Sequence, residues 1–158
     1  MTKGEARWHH VATLLCGASG LALGWMLYFV EPTDPFALAN HPWQPAMKAA
    51  HVLTAPLIVF AVGLIWRAHV WGRIVSGFRA RRKTGWLLLL TFAPMVVSGY
   101  GLQVTASELW REIWLWTHWI ASGAWVLAYA VHQLSPRKPA KDRQRSGRQR
   151  RFVREAGP

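Results

Sequence analysis

Four stretches of this chain, residues 11–30, 49–70, 85–104 and 113–134, are apolar for long enough to cross about 30 Å of hydrocarbon as α-helices. A segment at that depth has no water to satisfy its backbone N–H and C=O groups, so a chain with four such stretches is expected to cross as helices. The pattern predicts an all-α fold: an integral membrane four-helix bundle forming one domain over residues 1–135, followed by a basic tail over residues 136–158. The first stretch is longer than the apolar core of a signal peptide. Its end, Trp25-Met26-Leu27-Tyr28-Phe29, carries no small-residue cleavage pattern. With 52% hydrophobic residues, 11 Trp and only 7 acidic residues, an ordinary soluble domain is excluded.

A net charge of +12 raises the question of nucleic acid, and the placement of the charge answers it. Of 19 Lys and Arg, only Lys48 and Arg111 fall on the side of the first and third interhelical loops. The rest lie in the N-terminal arm, around the second loop (Arg67, Arg73, Arg79, Arg81, Arg82, Lys83) and in the tail. Glu31, Asp34, Glu108 and Glu112 sit on the opposite side. This asymmetry predicts that both termini are cytoplasmic. The basic second loop suits anionic headgroups of the inner leaflet. Topology accounts for the charge without a nucleic-acid partner. From Arg137 to Arg154, nine basic residues face only Asp142 with no apolar periodicity, which predicts a disordered or membrane-hugging cytoplasmic tail. The single Cys16 lies within the first helix, permits no intramolecular disulfide and reads as a small packing residue.

Histidines supply the chemistry. His118 and His132 stand fourteen positions apart on the last stretch, which on an α-helix is about 21 Å of rise with an angular offset of about 40°. One helix face therefore offers an imidazole near each membrane surface. His51 lies about one turn inside the outer end of the second helix, and His69 lies at its inner end. His9 and His10 open the first helix, pointing about 100° apart, so that at most one is expected to face the bundle. Sorted by depth, His51 and His118 are outer, and His10 or His9, His69 and His132 are inner. A histidine in a bilayer is costly unless its nitrogens find partners, and haem iron is one of the few partners at that depth. Two bis-histidine b-type haems can be built, with His51 and His118 as the outer pair. His132 takes its partner from the first helix or the second. His69 lies eighteen positions from His51, about 27 Å along an α-helix and some 6 Å more than the fourth helix spans, so it fits less naturally. Zinc lacks acidic or cysteine ligands at these depths, and no Cys-x-x-Cys-His motif indicates covalent haem.

Other features of the chain support this frame. Gly17, Gly20 and Gly24 form a strip that admits a neighbouring helix or a flat ring. Pro32, Pro35, Pro42 and Pro45 predict a fixed irregular first loop, whose Asn40-His41-Pro42-Trp43 reads as an interfacial anchor. Trp110, Trp114 and Trp116 form an outer aromatic belt beside Arg111, a guanidinium suited to a haem propionate.

Arg7-Trp8-His9-His10 at the start of the first helix, His51 opening the second, Ser98-Gly99 in the third and the fourteen-residue step from His118 to His132 together resemble a known group. These are the di-haem cytochrome b subunits of membrane formate dehydrogenases and nickel-iron hydrogenases, and the small bacterial cytochrome b561 proteins. The resemblance covers about residues 7–134. It implies that His10, three after the arginine, pairs with His132, that His51 pairs with His118, and that His69 is the non-ligand histidine found after an arginine at the inner end of helix two. It departs at Val11, where a tryptophan is usual, and in its compact loops. The implied protein is a subunit of the bacterial inner membrane that carries electrons across the bilayer between a quinone pool near the cytoplasmic haem and a periplasmic or membrane redox partner. In that setting His69, His9 and Arg67 would position protons. Two other classes are a self-contained cytochrome b561-type quinol oxidoreductase and a cofactor-free anchor subunit. With no dehydrogenase, flavin or iron–sulfur motif in the chain, the electron-transfer subunit is preferred.

Overall fold

The computed structural model describes residues 1–32, 34, 36–77 and 81–135. The basic tail expected over residues 136–158 lies outside them. All regular structure among the described residues is helical, in the order α1 (Lys3–Tyr28), α2 (Gln44–Ile65), a π-helical segment (Trp66–Trp71), α3 (Gly72–Val75), α4 (Arg82–Val104) and α5 (Glu108–Leu134).

The helix ends follow local chemistry. The Thr2 side chain accepts from the Glu5 backbone N–H at 3.1 Å and the Glu5 carboxylate accepts from the Thr2 N–H at 2.7 Å, a reciprocal capping box. It starts α1 well before the apolar stretch begins, and so places His9 and His10 on the helix itself. Pro45 sits in the first turn of α2, where its missing N–H costs no helical bond. The loop before it is pinned by Asn40, whose side-chain amide donates to the Leu27 carbonyl at 3.0 Å and whose backbone N–H donates to Gln44 Oε1 at 3.0 Å. Arg81 precedes α4 in the left-handed region (φ 57°) and donates from its guanidinium to the carbonyls of Gln133 and Ser135, capping the C-terminus of α5.

Backbones approach closely within two antiparallel hairpins, α1 with α2 and α4 with α5. The hairpins meet mainly through side chains. Ala12, Ile58, Ala61 and Trp125 form the central cluster, with Cys16, Leu88, Phe92, Met95, Val126 and Tyr129 packed around it. Contacts of His9 with Tyr129, and of Arg81 with Ser135, put the start of α1 and the end of α5 at one end of the molecule.

The surface, unlike that of a water-soluble protein, is rich in large apolar side chains. Among the described residues the one fully buried larger side chain is a serine, Ser98, while Leu14, Leu21, Leu53, Phe60, Leu90, Ile120 and Leu127 are exposed. Such a surface matches a lipid solvent. Three helical spans, Lys3–Tyr28, Gln44–Val75 and Arg82–Val104, are long and apolar enough to cross a membrane. The fourth expected span, α5, has 27 residues, but its tryptophans and two histidines hold it below that level of apolarity.

Candidate functional site

His51 of α2 and His118 of α5 face each other across the hairpin boundary, their ring centroids 6.1 Å apart and their planes at 72°. Each ring is held from behind by the partner helix of its own hairpin, and the two arrangements are near copies. His51 Nδ1 lies 3.0 Å from the Cys16 carbonyl and 3.4 Å from Ser19 Oγ. His118 Nδ1 lies 3.0 Å from the Met95 carbonyl and 3.3 Å from Ser98 Oγ. A carbonyl only accepts, so each Nδ1 carries the proton and each Nε2 keeps its lone pair. Each serine donates its own proton back into its helix, Ser19 to Leu15 at 2.7 Å and Ser98 to Pro94 at 2.6 Å.

The glycine after each serine makes room for the ring. A Cβ on Gly20 would stand 2.7 Å from His51 Cε1, and one on Gly99 would stand 3.1 Å from His118 Cε1. Gly24 takes the Trp119 indole in the same way, with 2.6 Å to a hypothetical Cβ, whereas Gly17 meets nothing within 4 Å. The glycine strip of α1 thus seats two flat rings from the other helices.

At the opposite end His132 of α5 faces His69 of the π-helical segment, with centroids 6.3 Å apart and planes at 84°. His132 Nδ1 lies 2.9 Å from Thr84 Oγ1, and Thr84 donates to the Arg81 carbonyl at 3.0 Å. Comparison of the chain with known protein families, with curated proteins and with solved structures gives no match. The assignment of these sites therefore rests on their own geometry.

The inner pair opens on a cavity of about 480 Å³, lined by His9, His10, His69 and His132 together with Arg73, Arg81 and Arg82. Trp86, Phe92, Trp125 and Tyr129 supply aromatic wall, and no carboxylate stands among the described residues lining it. His9 Nδ1 and Arg81 Nε are buried beside it without a hydrogen-bond partner among the described residues. A group that fills this space would be flat or apolar over most of its surface and would carry acceptors or negative charge at one edge.

The inner-end histidines separate by partner. His10, which the family resemblance pairs with His132, bonds through Nδ1 to the Tyr129 hydroxyl instead. His9 lies edge-on to Trp125 and Tyr129, with centroids 6.5 and 5.8 Å away, so both members of the His9-His10 dipeptide reach α5. His69 reaches His132 from within a stretch of helix that is wound differently. The Gly72 N–H donates to the Arg67 carbonyl five residues back, and the wider turn shortens the rise and rotates the residues beyond it out of α-helical phase. The sequence carries no evident signal for it.

Arg111 is exposed on the first turn of α5, two turns and about 10 Å from His118 along the same face. His41 stays in the first loop, where its Nδ1 accepts from the Trp43 N–H at 3.1 Å. It therefore holds the opposite nitrogen free of its proton from the one freed in His51 and His118. Among the described residues no three His, Cys, Asp or Glu side chains converge to hold a bare metal ion. Sequence reasoning did not single out Thr84; a Ser-Gly or Thr-Gly dipeptide facing a helical histidine (Ser19-Gly20, Thr84-Gly85, Ser98-Gly99) is the signal that finds it.

Proposed function

We propose that the chain is a di-haem b-type cytochrome, an integral membrane subunit of four helices that carries electrons across the bilayer between the quinone pool and a redox partner protein. The observation that carries this reading is the pairing of imidazoles across the hairpin boundary at both ends, with the proton of the outer pair held on Nδ1. The two pairs stand at 6.1 and 6.3 Å between ring centroids, and these four imidazoles would hold the group at the two ends of α5. A structural histidine needs only some hydrogen bond. Two facing pairs, fourteen residues apart along α5, support a guest held between imidazoles at each end.

In this reading His51 and His118 hold the outer haem, and His132 and His69 hold the inner one. A haem held there would supply a one-electron couple. The carbonyls of Cys16 and Met95 orient the outer rings and raise their basicity. The aromatic residues give the inner site an apolar wall, and Arg73, Arg81 and Arg82 would supply the positive charge that the acidic groups of a haem require. Arg111 is the candidate counterpart at the outer end. The positive-inside asymmetry supports a topology with both termini in the cytoplasm of a bacterial inner membrane, and the arginine-rich inner end is where an exchangeable quinone is proposed to approach.

Haem content measured on the purified chain by the pyridine haemochrome method tests this. Two haems per chain are expected in the wild type and one after His118→Ala. His69→Ala is expected to remove the inner haem and His10→Ala to retain it. The reverse outcome would restore the His10 pairing that the family resemblance implies. A wild-type chain without haem, purified from haem-replete cells, overturns the cytochrome reading and leaves the anchor subunit.

A further inference from the structure

His51, His118 and His132 share one kind of seat, a helical hydroxyl residue followed by glycine, yet they do not share it equally. His51 and His118 each have a backbone carbonyl at 3.0 Å, and their serine hydroxyls stand farther off, at 3.4 and 3.3 Å. His132 has no such carbonyl among the described residues, where Thr84 Oγ1, at 2.9 Å, is the one hydrogen-bond partner of its Nδ1. Thr84 in turn spends its proton on the Arg81 carbonyl at 3.0 Å, which leaves the hydroxyl lone pair facing the ring. Thr84 does not line the inner cavity, whereas His132 does.

We propose that Thr84 is the positioning residue of the inner site: its hydroxyl accepts the Nδ1–H of His132 and thereby keeps the Nε2 lone pair available to a ligand-bound metal in the cavity. The backbone carbonyls do this work at the outer pair, so Ser19 and Ser98 are dispensable for the tautomer and Thr84 is not. The asymmetry has a physical root. A carbonyl accepts only, and no side-chain substitution removes it, while a hydroxyl both donates and accepts, and its lone pair is aimed only as long as its own proton is held elsewhere. The metal-binding part of this inference rests on the cytochrome reading; the tautomer part does not.

Both parts are tested on the full-length chain in detergent micelles with ¹⁵N-labelled histidine, prepared with and without haem. The His132 resonances are assigned by their loss in His132→Ala. In the haem-free wild type, His132 is expected to show a protonated Nδ1. Thr84→Val, which keeps the shape and removes the hydroxyl, is expected to move the proton to Nε2, and to weaken binding of the inner haem roughly 10- to 100-fold. The outer haem should remain bound. Thr84→Ser is expected to restore both readouts, and Ser98→Ala to leave His118 protonated at Nδ1. Should Thr84→Val not fold, Thr84→Ala takes its place with the same readouts. An unchanged His132 tautomer without the hydroxyl, or failure of Thr84→Ser to restore it, overturns the proposal. A wild type that takes up no haem overturns the cytochrome reading, and the ¹⁵N measurement then still decides the role of Thr84.

Discussion

At the scale of single residues the glycines divide into those that hold a ring and those that do not. A Cβ at Gly20 would stand 2.7 Å from His51 Cε1, closer than real Cβ contacts come, while at Gly85 the nearest atom, His132 Cε1, would be 3.9 Å away, an ordinary van der Waals contact. Gly20→Ala is therefore expected to displace the His51 ring and lower haem content from two to one per chain. Gly85→Ala is expected to keep both, and difference absorption spectra of the reduced proteins would distinguish the two outcomes. A helical glycine also costs about 1 kcal/mol relative to alanine, so Gly85→Ala is expected to leave thermal stability equal or slightly higher. The histidines were legible from their depth in the sequence. Which glycine carries which ring was not, because a strip at three- and four-residue spacing shows only that a face is smooth, and the ring that lands on it comes from another helix.

At the scale of elements His69 stands opposite His132 from within the π-helical segment Trp66–Trp71. Removing one residue upstream of His69, as in deletion of Ala68, should let regular α winding resume and turn the side chains beyond it by about 100°. The expected result is loss of the inner pair with the outer pair intact, read as one haem per chain and an unshifted outer spectrum; retention of two haems would count against the His69 assignment. The capping box of Thr2 and Glu5 was equally hard to foresee as a site feature, although its residues are plain in the sequence. It matters because it carries α1 past the apolar stretch and holds His9 and His10 in helical register against Tyr129.

At the scale of the whole molecule the question is whether α5 crosses. If it does, the ends of α1 and α5 that meet in the structure lie on the same side of the membrane. A reporter fused after Ser135 is expected to be cytoplasmic and one inserted at Ala106 to be external, so a protease added outside spheroplasts should cut only the second. A reporter after Ser135 that is cut from outside would leave three crossings. The sequence by itself determined the helical class, the long apolar segments and the sorting of histidines to the two ends of the helices, because internal hydrogen bonding and helix rise act on the chain one segment at a time. The tertiary structure decided which imidazoles face each other and what stands behind them: His69 rather than His10 opposite His132, two carbonyls behind the outer rings, one threonine hydroxyl behind the inner. Those outcomes depend on contacts between residues up to 120 positions apart, which leave no periodic trace in the sequence.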